Sequence, residues 1–96
     1  MFVLLENLGS RNSIFSYDVM GVCETEFEAI HWRQNNSKHR VYKHCSRDIR
    51  GRYLLFETDC SDSDVYSWDC IGSTMYESEA INWVHRNCEF RVYKAF

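Results

Sequence analysis

The chain has 96 residues, of which 45% are hydrophobic and 16% aromatic. That length makes one domain, or two very small units that share a core, and so many large apolar side chains exclude a disordered chain. A net charge of −3 lacks the basic excess of a dedicated nucleic-acid binder, and no apolar run approaches the roughly 20 residues that cross a membrane.

The opening segment, MFVLLENLGS, has no basic flank and too short an apolar part for a signal peptide. It reads as a strand, and the expected location is the cytoplasm. There are five cysteines, Cys23, Cys45, Cys60, Cys70 and Cys88. Five is odd, no two of them form CxxC, and small reduced side chains are expected.

The first predicted element is a strand over Phe2–Asn7, rich in aromatic and branched residues. Its nearly continuous hydrophobicity suits a central strand covered on both faces or a strand at an interface. A polar turn, Leu8–Ser13, follows. Ile14–Val22 then alternates with a period of two, which predicts a second strand. One face of it carries Phe15, Tyr17 and Val19. Gly21 near its end suggests a bend or bulge. A helix comes next, opened by Thr25 with Glu28 three residues later, the spacing of a capping box. Ala29 and Trp32 lie three apart and share a face. Asn35 and Asn36 end the helix, and His39–His44 predicts a third strand.

The chain then repeats itself. A shift of 51 positions aligns Phe2/Tyr53 through Cys45/Phe96 without a gap, with sixteen identities in forty-four pairs. These include Leu4/Leu55, Glu6/Glu57, Asp18/Asp69, Gly21/Gly72, Ala29/Ala80, Trp32/Trp83 and RVYK at both 40–43 and 91–94. The repeat defines the structural unit. Residues 1–45 form one copy, 46–52 a polar linker and 53–96 the second copy. In the second copy Thr74 and Glu77 have the capping-box spacing.

Each copy therefore reads as β-β-α-β. Its first two strands are antiparallel neighbours. The third most simply returns beside the first, giving the order 2-1-3. One such unit buries little alone. The predicted fold is α+β: tandem β-β-α-β repeats packed by an approximate two-fold axis, with six antiparallel strands in one sheet or two, and two helices. Residues kept in both copies are expected to be scaffold. Residues that differ are where function is expected.

Candidate chemistry is sparse. Glu6/Glu57 and Asp18/Asp69 recur as carboxylate pairs, but each position suits a strand end or a solvated face better than acid–base catalysis. His39 and His44 near Cys45 do not have the spacing of zinc ligands. The four glycines are scattered and cradle no phosphate. No cofactor is expected, and a non-enzymatic protein is.

Two charged stretches and a few aromatics remain. The segment DCSDSD, with Asp59, Asp62 and Asp64, replaces the neutral LGSRNS of the first copy. It suits either a hydrated turn or an acidic mimic of nucleic acid. Lys38, Arg40, Lys43, Arg47, Arg50 and Arg52 form the one basic concentration, interleaved with Tyr42 and Tyr53. That pattern suits nucleic-acid binding on a sheet or a guarded edge strand. Phe27, Tyr17 and Trp68 are the candidate exposed aromatics. Phe27 points away from the Ala29/Trp32 face, and its counterpart is Ser78. A large apolar residue exposed in one copy alone marks a partner contact, either another protein or a second copy of this chain.

The segments MGVCETEFEAI and IGSTMYESEAI, each between a strand and a helix, resemble a pattern in small phage and bacterial domains: hydrophobic-Gly, a Ser/Thr/acidic turn, then a helix beginning E-A-I. In size, aromatic richness and mild acidity the chain is similar, by type, to small phage anti-defence proteins such as anti-CRISPRs. That resemblance implies binding and blocking of a host complex such as CRISPR–Cas. It carries over no functional residues. The expected function is thus a small protein-binding inhibitor in the host cytoplasm, with Phe27, Asp59, Asp62, Asp64 and Trp68 as contacts. The alternative is an RNA- or DNA-binding domain that uses residues 38–52.

Overall fold

Each half of the chain builds one three-stranded antiparallel sheet and one helix. A computed structural model describes residues 1–7, 9, 11–36, 39–60 and 62–96. Leu8, Ser10 and Ser61 of the two turns, and Ser37 and Lys38 before the third strand, lie outside the described residues. The first half contains β1 (Phe2–Asn7), β2 (Tyr17–Cys23), α1 (Glu26–Gln34) and β3 (Arg40–His44). The second contains β4 (Tyr53–Glu57), β5 (Asp69–Thr74), α2 (Glu77–His85) and β6 (Arg91–Ala95). Strand order is β2-β1-β3 in one sheet and β5-β4-β6 in the other. This is the 2-1-3 order expected, and the six strands form two sheets.

The sheets lie face to face, with β3 against β5 and β2 against β6. That pairing requires an approximate two-fold axis running along the strands between the sheets. Each helix packs on the strands of its own half. The layers are therefore helix, sheet, sheet, helix. Val3 and Leu5 of β1 meet Leu54 and Phe56 of β4 in a core closed by Val41, Val65 and Cys70. Burying each such large apolar side chain contributes about 1.5–3 kcal/mol. Either sheet alone would leave this face in water, which is why one copy does not suffice.

The repeated motifs bolt each helix to its sheet. Arg40 Nε donates to Glu6 Oε1 at 2.9 Å, and Arg40 Nη1 donates to the Trp32 carbonyl at 2.9 Å. The guanidinium also lies 4.6 Å from the centre of the Trp32 ring. Arg91 repeats this with Glu57 at 3.1 Å, the Trp83 carbonyl at 3.0 Å and the Trp83 ring at 4.6 Å. Glu6 and Glu57 are thus tied to arginines on opposite outer faces of the sandwich and do not form an acid–base pair.

Two local expectations are corrected. Ile14–Ser16 and Val65–Ser67 are single turns of 3-10 helix, and the second strand of each half starts after them. The alternation in sequence was real, but a 3-10 turn rotates the chain. Ile14 and Val65 therefore point into the core, while Phe15 and Tyr66 are exposed. The second correction concerns the helix caps. Thr25 caps α1 as predicted, accepting from Glu28 N–H at 3.2 Å. Thr74, however, is the last residue of β5, and Tyr76 caps α2 without a side-chain bond. The Thr74 hydroxyl instead bonds the Glu79 carboxylate.

The bulge expected near Gly21 and Gly72 is present. Register shifts between Leu4 and Leu5 and between Leu55 and Phe56 leave Met20 and Ile71 as the extra residues. Neither glycine adopts a positive φ.

Candidate protein-binding surface

Phe27 sits in the first turn of α1 and is 80% exposed. It follows β2 at the end of the sandwich where β1 and β4 begin. The acidic turn lies at the opposite end, beyond Glu57. Phe27 and Asp59–Asp64 therefore cannot share one compact contact.

The acidic turn is largely occupied with its own geometry. The Asp62 carboxylate accepts from Asp64 N–H at 3.0 Å, and the Asp64 carboxylate accepts from Tyr66 N–H at 2.9 Å. Asp64 is thus the N-cap of the second 3-10 turn, the position Ser13 holds in the first half. Asp59 and Asp62 are exposed. Asp59 joins Glu57 and Asp69 in lining a depression of about 440 Å³. Among the described residues, no three His, Cys, Asp or Glu side chains gather as metal ligands. The His44 ring packs edge-on against Phe2 at 5.2 Å.

Trp68 and Tyr17 are not surface aromatics. They are 2% and 1% exposed. Trp68 Nε1 donates to the Asp62 carbonyl at 3.0 Å, and the Tyr17 hydroxyl donates to Asn12 Oδ1 at 2.6 Å. Each buries its ring in the core and sends its polar tip to the turn before it. Trp68 is not a contact residue: it shares the face of Cys70, as alternation places it, and that face is the one the second sheet covers.

Among the described residues, the basic segment does not form one patch. Arg40 is consumed by Glu6 and Trp32. Lys43 faces the inner side of β3, where burial lowers its pKa and Asp69 and Asp64 partly offset that. Arg47, Arg50 and Arg52 are exposed on the linker, and Lys38 lies outside the described residues. The linker runs along β5: Ser46 N–H donates to the Cys70 carbonyl at 3.2 Å, and Arg50 N–H to Ser73 Oγ at 2.8 Å. It covers an edge strand that would otherwise offer free backbone groups.

A third region was not foreseen. At the strand-start end, Val22, Ile49, Met75 and Phe96 line an apolar groove of about 460 Å³, rimmed by Arg50 and Arg52. Met75 is 65% exposed and Phe96 is 50% exposed. Met75 replaces Glu24, and Phe96 replaces Cys45, so the first half has no equivalent. The disagreement between copies was readable, but Ile49 and the arginines come from the linker, which the repeat does not cover.

No family model, curated protein or solved structure matches this chain.

Proposed function

We propose that the chain is a small non-enzymatic module that binds another protein, through the end of the sandwich bearing Phe27 and the Met75/Phe96 groove. The groove carries this reading. Exposed methionine and aromatic side chains around a concave apolar floor are typical of contact centres. The flanking Arg50 and Arg52 favour a partner segment that combines aliphatic side chains with carboxylates. Inhibition of a host defence complex by steric blocking is the finer form of the proposal, and it rests on the likeness in type to phage anti-defence proteins.

The test starts from a partner identified with the tagged chain in its own host and then purified. Met75→Asp and Phe96→Asp should each weaken binding at least tenfold, while Asp62→Lys at the opposite end changes it little. Affinity unaffected by both groove variants would overturn the reading. Sedimentation of the chain alone distinguishes a heterologous partner from a second copy.

The exposed Arg47, Arg50 and Arg52 favour a second reading, contact with an RNA or DNA backbone. Binding of a labelled oligonucleotide should then fall steeply as salt rises. Absence of binding at low salt ends it.

A further inference from the structure

We propose that Cys45 and Cys70 are a thiol pair that oxidises to a disulfide joining the two halves of the chain. Cys45 directly follows β3, and Cys70 lies in β5 of the other sheet. Their backbones meet in an isolated parallel bridge, so their Cα atoms stand at the separation a disulfide needs. Their sulfurs are 2.9 Å apart. Both side chains are buried, at 2% and 1% exposure. In the repeat, Cys45 corresponds to Phe96 and Cys70 to Val19. Neither position is cysteine in the other copy, so the pair is specific to this one junction.

The pair lies beside a surface depression of about 570 Å³, which Cys45 lines together with Arg47, Asp48 and Arg50. Two arginines against one aspartate favour an anionic small-molecule disulfide such as oxidised glutathione. The Cys70 thiol donates to Cys45 and holds the Cys45 pKa below the ordinary thiol range, and that hydrogen bond with burial holds Cys70 above it. Cys45 is the member of the pair that borders the depression, so it is the sulfur a reactant meets first.

The chemistry balances as two exchanges. Cys45 thiolate attacks one sulfur of oxidised glutathione and expels a glutathione thiolate. Cys70, giving up its proton, attacks the Cys45 sulfur of the mixed disulfide and expels the second. Two protein thiols lose two electrons and two protons, and one glutathione disulfide becomes two glutathione thiols. The bond closes the chain from 45 to 70 and pins the linker against β5. It is independent of the partner-binding reading.

The experiment treats the full chain with oxidised glutathione, blocks remaining thiols with N-ethylmaleimide in denaturant, and maps peptides by mass. The expected product is a Cys45–Cys70 cross-linked peptide, with Cys23, Cys60 and Cys88 alkylated. The melting temperature should rise by about 10 °C and return on reduction. Cys70→Ala should abolish both effects and leave Cys45 as a glutathione adduct or alkylated. Full alkylation of Cys45 and Cys70 in the treated wild-type chain would overturn the proposal. So would linkage of either one chiefly to Cys23, Cys60 or Cys88.

Discussion

Ser13 and Asp64 stand opposite each other where the two halves meet, in an isolated antiparallel bridge. Ile14 N–H donates to the Ser63 carbonyl at 2.8 Å, and Val65 N–H donates to the Asn12 carbonyl at 2.9 Å. Under the shift of 51 positions these are the same bond written twice. The approximate two-fold axis therefore passes between Ser13 and Asp64. Each residue also caps the 3-10 turn that follows it, which places an aromatic, Tyr17 or Trp68, into the core.

The role of Asp64 can be separated from its charge. Asp64→Ala removes the cap and should cost about 1 kcal/mol, read from urea unfolding. Asp64→Ser restores the side chain of the first half and should recover most of the loss. If Asp64→Ser is as damaging as Asp64→Ala, the carboxylate does more than cap.

Trp68→Ala should destabilise the chain by about 3–5 kcal/mol, the usual cost of emptying a large core site. Trp68→Tyr, matching the first half, should be much milder. A Trp68→Ala protein with unchanged melting but lost partner binding would return Trp68 to the surface.

The chain should weaken in alkali through Tyr17. Burial raises the pKa of its phenol above the ordinary 10.0. The unfolded chain then ionises this group first, so its contribution is whole below about pH 10 and declines as pH rises through the folded value. Lys43 and Lys94, whose pKa values burial lowers, act in the opposite sense. They do so equally in wild type and variant. Tyr17→Phe should therefore lose less stability than wild type between about pH 9 and pH 11. Parallel curves from chemical denaturation would assign the alkaline loss to another group.

Gly51 and Gly21 should respond oppositely to alanine. A Cβ at Gly51 would lie 2.2 Å from the Thr74 carbonyl carbon and oxygen and 2.6 Å from Met75 N, all backbone atoms. Gly51→Ala must displace the linker from β5 and should cost about 1–3 kcal/mol. At Gly21 the nearest atom is Leu4 Cδ1 at 3.8 Å, so Gly21→Ala should be neutral or slightly stabilising. Equal melting temperatures for Gly51→Ala and wild type would show that the linker is not held against β5.

Much of this architecture was legible because the chain carries its own comparison. The match of Glu6, Trp32 and Arg40 with Glu57, Trp83 and Arg91 marked those residues as scaffold, and the structure joins each trio in one bolt. That bolt also explains why the basic segment is not a patch, since Arg40 is committed before any ligand arrives. The reading of Trp68 as exposed failed because periodicity groups it with Cys70 on one face without saying which face is buried. That is decided only when the second sheet packs on it.

By itself the sequence determined the unit, its β-β-α-β order, its strand neighbours and its need for a second copy. These follow from periodicity, short connections and a repeat, all of which act along the chain. Only the tertiary structure decided that the strands form two facing sheets. It alone brought Cys45 to Cys70 and assembled the groove of Val22, Ile49, Met75 and Phe96. Those residues are distant in sequence and come from a strand end, the linker, a helix entry and the C-terminal end. Packing two sheets along a shared axis brings them together, and no local pattern encodes that packing.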